Sequence, residues 1–262
     1  RWHGSSDDPQ SPIWQYMWHW HRGMDDPAAL IEGAASDAEL KSGDDAVATG
    51  AAYQRAASID GTHALLELFS SSDPGLRTIA SYGVAAARGR AFDSLTALLD
   101  EAIGSNDGPL IARIIDVLGD MGAAALPARR RIEAVTGHSD VTVRRYAIEA
   151  LGMICQRQQN LAATTVEVLG DGLIDDDALA RRNAVFAVAR LGNRACTAEV
   201  VERLTANLHH WHHHVRGWSV EALQRLDDPD AMKAVIAYLN TTRWDPLPKS
   251  GDREVTRAVM RQ

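Results

Sequence analysis

Cysteine is nearly missing from this sequence: Cys155 and Cys196 are the two, in apolar or small-residue surroundings. So sparse a set suits two buried thiols in a reducing compartment better than a disulfide framework, and the expected location is cytoplasmic. No apolar run approaches the eighteen residues that a spanning helix requires, so nothing reads as a membrane segment. Nor does the chain open, at Arg1, with the basic-then-apolar pattern of a secretory leader. Phenylalanine occurs three times in the whole chain, so the core must come from aliphatic side chains and alanine. Strand-like alternation of useful length is missing beyond residue 27, which leaves helix as the regular element. Positive charge is the minority, 27 Lys and Arg against 35 Asp and Glu. The resulting net charge of −8 disfavours a nucleic-acid backbone or an anionic membrane as partner.

What the chain does contain is a repeat. Five segments share a helix-starting residue, an apolar residue, usually an arginine, and small residues three and six positions on. They are DPGLRTIASYGVA from Asp73, DGPLIARIIDVLG from Asp107, DVTVRRYAIEALG from Asp140, DALARRNAVFAVARLG from Asp177 and HHVRGWSVEALQRL from His213. The anchor position is held by Arg77, Ile111, Arg144, Arg181 and Arg216, at spacings of 34, 33, 37 and 35 residues. A weaker copy starts at Asp44. Before each anchor segment lies another stretch of helical period, such as AFDSLTALLDEAI from Ala91 or AEVVERLTANL from Ala198. Asp- and Gly-rich turns separate them and supply caps and stops.

The unit is an antiparallel helix pair of about 35 residues, which cannot cover its own apolar face and must stack on its neighbours. The spacing also sets Asp73 and Arg77, Asp140 and Arg144, and Asp177 and Arg181 one helical turn apart, as expected of i,i+4 ion pairs. With D-x-x-V-R-x-x-A-x-x-A-L-G nearly intact from Asp140 to Gly152, residues 44–240 resemble the HEAT-repeat family. The resemblance implies an all-α, right-handed solenoid of five to six helix pairs and a scaffold or protein-interaction role. It places a repeat domain at 28–262 after a non-repeat segment at 1–27.

Catalytic relatives of that architecture find little support in the residues. The deoxyhypusine hydroxylase type holds iron with His-Glu dipeptides, and none is present. The alkylpurine DNA glycosylase type needs a basic face, for which Arg129–Arg131, Arg144, Arg145, Arg181, Arg182 and Arg216 would have to align against the net charge. H-S-D at His138–Asp140 has the form of half an Fe(II) triad, yet Asp140 stands where a helix cap belongs. In the run HHWHHH, His209 and His213, and likewise His210 and His214, would share a metal if the run were helical. With Arg130, Arg145 and Arg182, these four histidines are the candidate interaction surface.

The opening RWHGSSDDPQSPIWQYMWHWHRG does not fit the repeat. From Ile13 to Arg22 it alternates with aromatics on one side, a strand pattern without a sheet in this chain. Residues 1–25 resemble the last core strands of phytanoyl-CoA dioxygenase-like proteins, double-stranded β-helix enzymes that use Fe(II) and 2-oxoglutarate. That resemblance implies His3 as the distal iron ligand, with the remaining ligands upstream of Arg1. Asp7 and Asp8, and Trp14 and Gln15, depart from the family's Asn and Arg. The alternative is an aromatic cap over the first helix pair. The expectation is a HEAT-like scaffold, the C-terminal accessory domain of a larger protein, that meets a protein partner or its own upstream catalytic domain. The chain alone holds no complete active site and calls for no cofactor. Fe(II) and 2-oxoglutarate would enter only with a dioxygenase parent.

Overall fold

A computed structural model describes residues 35–242, and every regular element among them is helical. Many of the helices begin where a short polar side chain takes up free N–H groups. Ser36 and Glu39 form a capping box on α1 (Asp37–Leu40). After α2 (Asp45–Ala56), Ser58 caps α3 (Ile59–Glu67), and Asp73 caps α4 (Pro74–Ala87) at the N–H groups of Gly75 and Leu76. Following α5 (Gly89–Ser105), Asp107 caps α6 (Gly108–Met121). Then come α7 (Arg129–Glu133), α8 (Val141–Ile154, capped by Asp140), α9 (Ala163–Gly172) and α10 (Ala178–Leu191, capped by Asp177). Thr197 caps α11 (Ala198–Asn207), and α12 (His213–Arg225) and α13 (Pro229–Thr242) follow. Gly122 and Gly192 end α6 and α10 with φ of 59° and 61°, a conformation that disfavours any other residue.

The chain divides into two compact units, residues 1–125 and 126–262. The boundary expected after residue 27 lies outside the described residues. The division between Ala125 and Leu126 lies inside the three-ten turn Gly122–Ala128. In the first unit α2, α4 and α6 pack side by side as one layer, and α3 and α5 form the other. Leu65, Phe69, Leu95, Leu99, Ile111 and Leu118 are fully buried there. In the second unit α8, α10 and α12 form one layer, and α7, α9, α11 and α13 the other. Its centre is Ile132, Ile148, Leu151, Ile154 and a row of buried alanines. Each unit is thus a two-layer stack of antiparallel helix pairs, the arrangement of an α-solenoid.

Small residues let these layers close. A methyl group added to Gly152 on α8 would stand 2.7 Å from Cβ of Ala187 on α10 and 2.9 Å from its Cα. One added to Gly83 on α4 would meet Cδ1 of Leu65 at 2.7 Å and the Ala52 carbonyl at 2.9 Å. At both glycines the neighbouring helix comes close enough for its backbone to be met, an approach that the repeat's small-residue spacing had signalled.

Candidate functional site

The turns entering α4, α8, α10 and α12 share one hydrogen-bonded design. Two residues before the first helical position's cap, a side chain accepts the cap residue's own N–H. Ser71 Oγ serves Asp73 at 3.2 Å, His138 Nδ1 serves Asp140 at 3.0 Å, Asp175 Oδ1 serves Asp177 at 2.8 Å and His210 Nδ1 serves His212 at 3.1 Å. The anchor arginine then reaches back to the carbonyl of that same residue. Arg77 donates to Ser71, Arg144 to His138, Arg181 to Asp175 and Arg216 to His210, at 2.6–3.0 Å. The i,i+4 ion pairs expected from sequence do not form. The aspartates are committed to capping, and an arginine hooked over its turn satisfies carbonyls that would otherwise face outward unpaired.

Between α8 and α10 the turns are also tied across repeats. Arg144 holds Asp175 through Nε at 2.8 Å and Nη2 at 3.1 Å. Arg145 holds Asp177 through Nε at 2.7 Å and Nη2 at 2.6 Å. Both are two-pronged guanidinium–carboxylate pairs, the strong form of the interaction. The Arg145 hydrogen bonds, with N–H donors from α10, hold the Asp177 carboxyl down to about 2. Arg145, chosen from sequence as a surface cation, is thus bound to the turn of the next repeat.

Arg182 is half-buried and donates to Asn183 Oδ1 at 3.0 and 3.3 Å; Arg130 is exposed on α7. The histidine run is not helical as the i,i+4 reading required. The α11 helix ends at Asn207, His210 belongs to no helix, His212 has extended backbone and α12 starts only at His213. His209 instead sets its ring edge-on to Tyr238 at 5.7 Å, while the rings of His212, His213 and His214 lie together, His213 and His214 with centroids 4.0 Å apart. Burial and the neighbouring positive charges push His210 and His212 below the usual histidine range. His138 and Asp140 have the turn-forming and capping roles described above. Among the described residues no group of three His, Cys, Asp or Glu side chains could hold a metal. His3 and the aromatic stretch of residues 13–22 lie outside the described residues.

Sequence reasoning missed Trp211, which stands 76% exposed at the tip of the turn between α11 and α12. It also missed the cross-repeat ties, although RR at 144–145 and DDD at 175–177 lie about one repeat apart. Cys155 is buried and its thiol is pushed up to about 11 by that burial, so it is an inert core thiol. In the first unit a cavity of about 260 Å³ opens between α1–α2 and the start of α4, where Asp73 is engaged in capping.

Residues 166–248 match the family described as HEAT repeats. Among solved structures, the chain is similar to an engineered protein, a Northeast Structural Genomics Consortium target, at 19% identity and a TM-score of 0.40. The match covers 85% of this chain and 91% of that one. No curated protein matches the chain significantly. None of the described helices is long and apolar enough to cross a membrane. The dioxygenase resemblance of residues 1–25 gains no support from these matches.

Proposed function

We propose, from the match of residues 166–248 to HEAT repeats and the stacked helix pairs of each unit, that this chain is a protein-interaction scaffold whose contact edge in the second unit is the turn carrying Trp211. The observation behind this reading is the exposure of Trp211 beside a polar turn whose backbone is already hydrogen-bonded. The carbonyl of Trp211 is itself held by Arg216 at 2.9 Å, so the indole is displayed from a fixed platform. A large, rigid, amphipathic side chain of this kind is what binding hot spots are built from. The rings of His210 and His212 flank the indole at 5.4 and 5.3 Å and supply polar groups that fit the rim of such a contact. The scaffold serves a larger protein, as an appendage to a catalytic domain or as a bridge to a separate partner.

The test is Trp211→Ala in the full chain, with Ile236→Ala on α13 as a second exposed apolar site for control. Proteins retained by the immobilised wild-type chain from an extract of its source should fall roughly tenfold or more on W211A and hold on I236A. Equal retention by W211A, with its melting curve unchanged, overturns the reading.

A further inference from the structure

The paired guanidinium–carboxylate ties between the turns of α8 and α10 are not repeated between the turns of α10 and α12. Asp175 and His210 are equivalent by their bonds: each accepts the N–H of the residue two on, and each gives its carbonyl to the anchor arginine of the following helix. By the same bonds His212 stands where Asp177 stands, and Arg181 and Arg182 stand where Arg144 and Arg145 stand. At the first step two arginines meet two carboxylates at 2.6–3.1 Å. At the second step the acids are replaced by imidazoles. Arg181 turns to the carbonyls of Ile174 and Asp175 and to Asn207, and Arg182 has the neutral amide oxygen of Asn183.

Three further observations describe the place so left. His212 Nδ1 is buried and has no hydrogen-bond partner. His212, in the cap position of α12, offers no side-chain bond to that helix's first turn, whereas Asp177 caps Leu179 and Ala180. The side chains that act most strongly on the charge of His210 and His212 are cationic or imidazole: Arg181, Arg182, Arg216 and the adjoining histidines. A single carboxylate set there would answer all three, as Asp177 does one repeat earlier.

We propose that Arg182 and His212 receive the carboxylate of an acidic segment of a partner protein, which stands in for the aspartate that the repeat supplies one step earlier. The exposed indole of Trp211 next to it favours a peptide, which brings apolar contact with its acid, over a free anion. The inference rests on the interaction-scaffold reading and names the chemistry of its partner.

The experiment titrates the full chain with fluorescent short peptides rich in Asp and Glu around one aromatic residue. Matched Asn/Gln peptides, inorganic phosphate, acetate and oligo(U) RNA are titrated alongside. The acidic peptides should bind, and the amide versions should bind roughly tenfold or more weakly. Arg182→Gln should weaken the acidic peptides about as much. His212→Asp should abolish their binding while raising the melting temperature by a few degrees, roughly the worth of a restored cap and ion pair.

Binding that ignores both substitutions, or amide peptides that bind equally, overturns the proposal. So does phosphate or acetate binding as tightly as the peptides, which would make this a small-anion site, or RNA bound in preference. The two readings fail separately. Partner capture lost on W211A with no acidic-peptide binding leaves the scaffold and removes the carboxylate. Acidic-peptide binding lost on R182Q, with capture intact on W211A, does the reverse.

Discussion

Asp177 performs two tasks with one carboxylate: it caps Leu179 and Ala180 at 3.1 and 2.8 Å, and it takes both prongs of Arg145. Asp177→Asn should therefore lose about 1–3 kcal/mol in urea denaturation, cap and ion pair together. The pH course of that loss has a definite sign. A carboxyl held near 2 in the folded chain, against about 4 unfolded, stabilises fully above the unfolded value. That contribution fades as pH falls toward 2, so wild type and D177N should converge there. A difference that stayed constant down to acid pH would contradict the carboxylate's role. The capping half of this was legible in the sequence, because Asp before a helical period is a local signal. The Arg145 half was not, since the partner lies about one repeat away and Arg181, four residues on, is the nearer candidate on paper.

The elements were read from their apolar period, and the small residues within it carry a prediction of their own. In an isolated helix Gly→Ala gains roughly 1 kcal/mol. At Gly152 the added methyl would press on Ala187 Cβ and Cα, part of a neighbouring helix that cannot turn aside. Overpacking of this kind costs about 1–3 kcal/mol, so crowding outweighs propensity and Gly152→Ala should destabilise. An unchanged or higher urea midpoint would mean that α8 and α10 do not approach as described. The histidine run shows where period alone misleads. Asn207 closes α11 by donating to the Leu173 carbonyl at 2.9 Å and accepting from Arg181, and Arg216 pulls the carbonyls of His210 and Trp211 outward. A helix through residues 209–212 would forfeit those bonds, so spacing on a helical wheel has no meaning there.

At the scale of the molecule, contacts within each unit run between adjacent elements, so damage should stay near its source. Gly83→Ala, which would strike Leu65 and the Ala52 carbonyl, should speed amide exchange in α2–α4 and leave α8–α12 protected as before. Uniform loss of protection along the chain would show one cooperative block instead. The all-helical repeat architecture was legible because each period recurs, and a recurring signal survives one weak copy. The division between Ala125 and Leu126 was not, because it depends on which helices close on one another within each half, and the period does not carry that. Trp211 escaped because exposure belongs to a turn's shape, which no period encodes.

The hooked turns have a consequence for how such a chain can change. The anchor arginine grips a main-chain carbonyl, so it is indifferent to whose carbonyl it is: Ser71, His138, Asp175 and His210 all serve. A short side-chain acceptor is the only further demand on that position. The residues at the tips are thereby released from the duty of holding the fold. A lineage could redecorate them one repeat at a time, trading an acid for an imidazole or an indole, and acquire a new partner without learning to fold again.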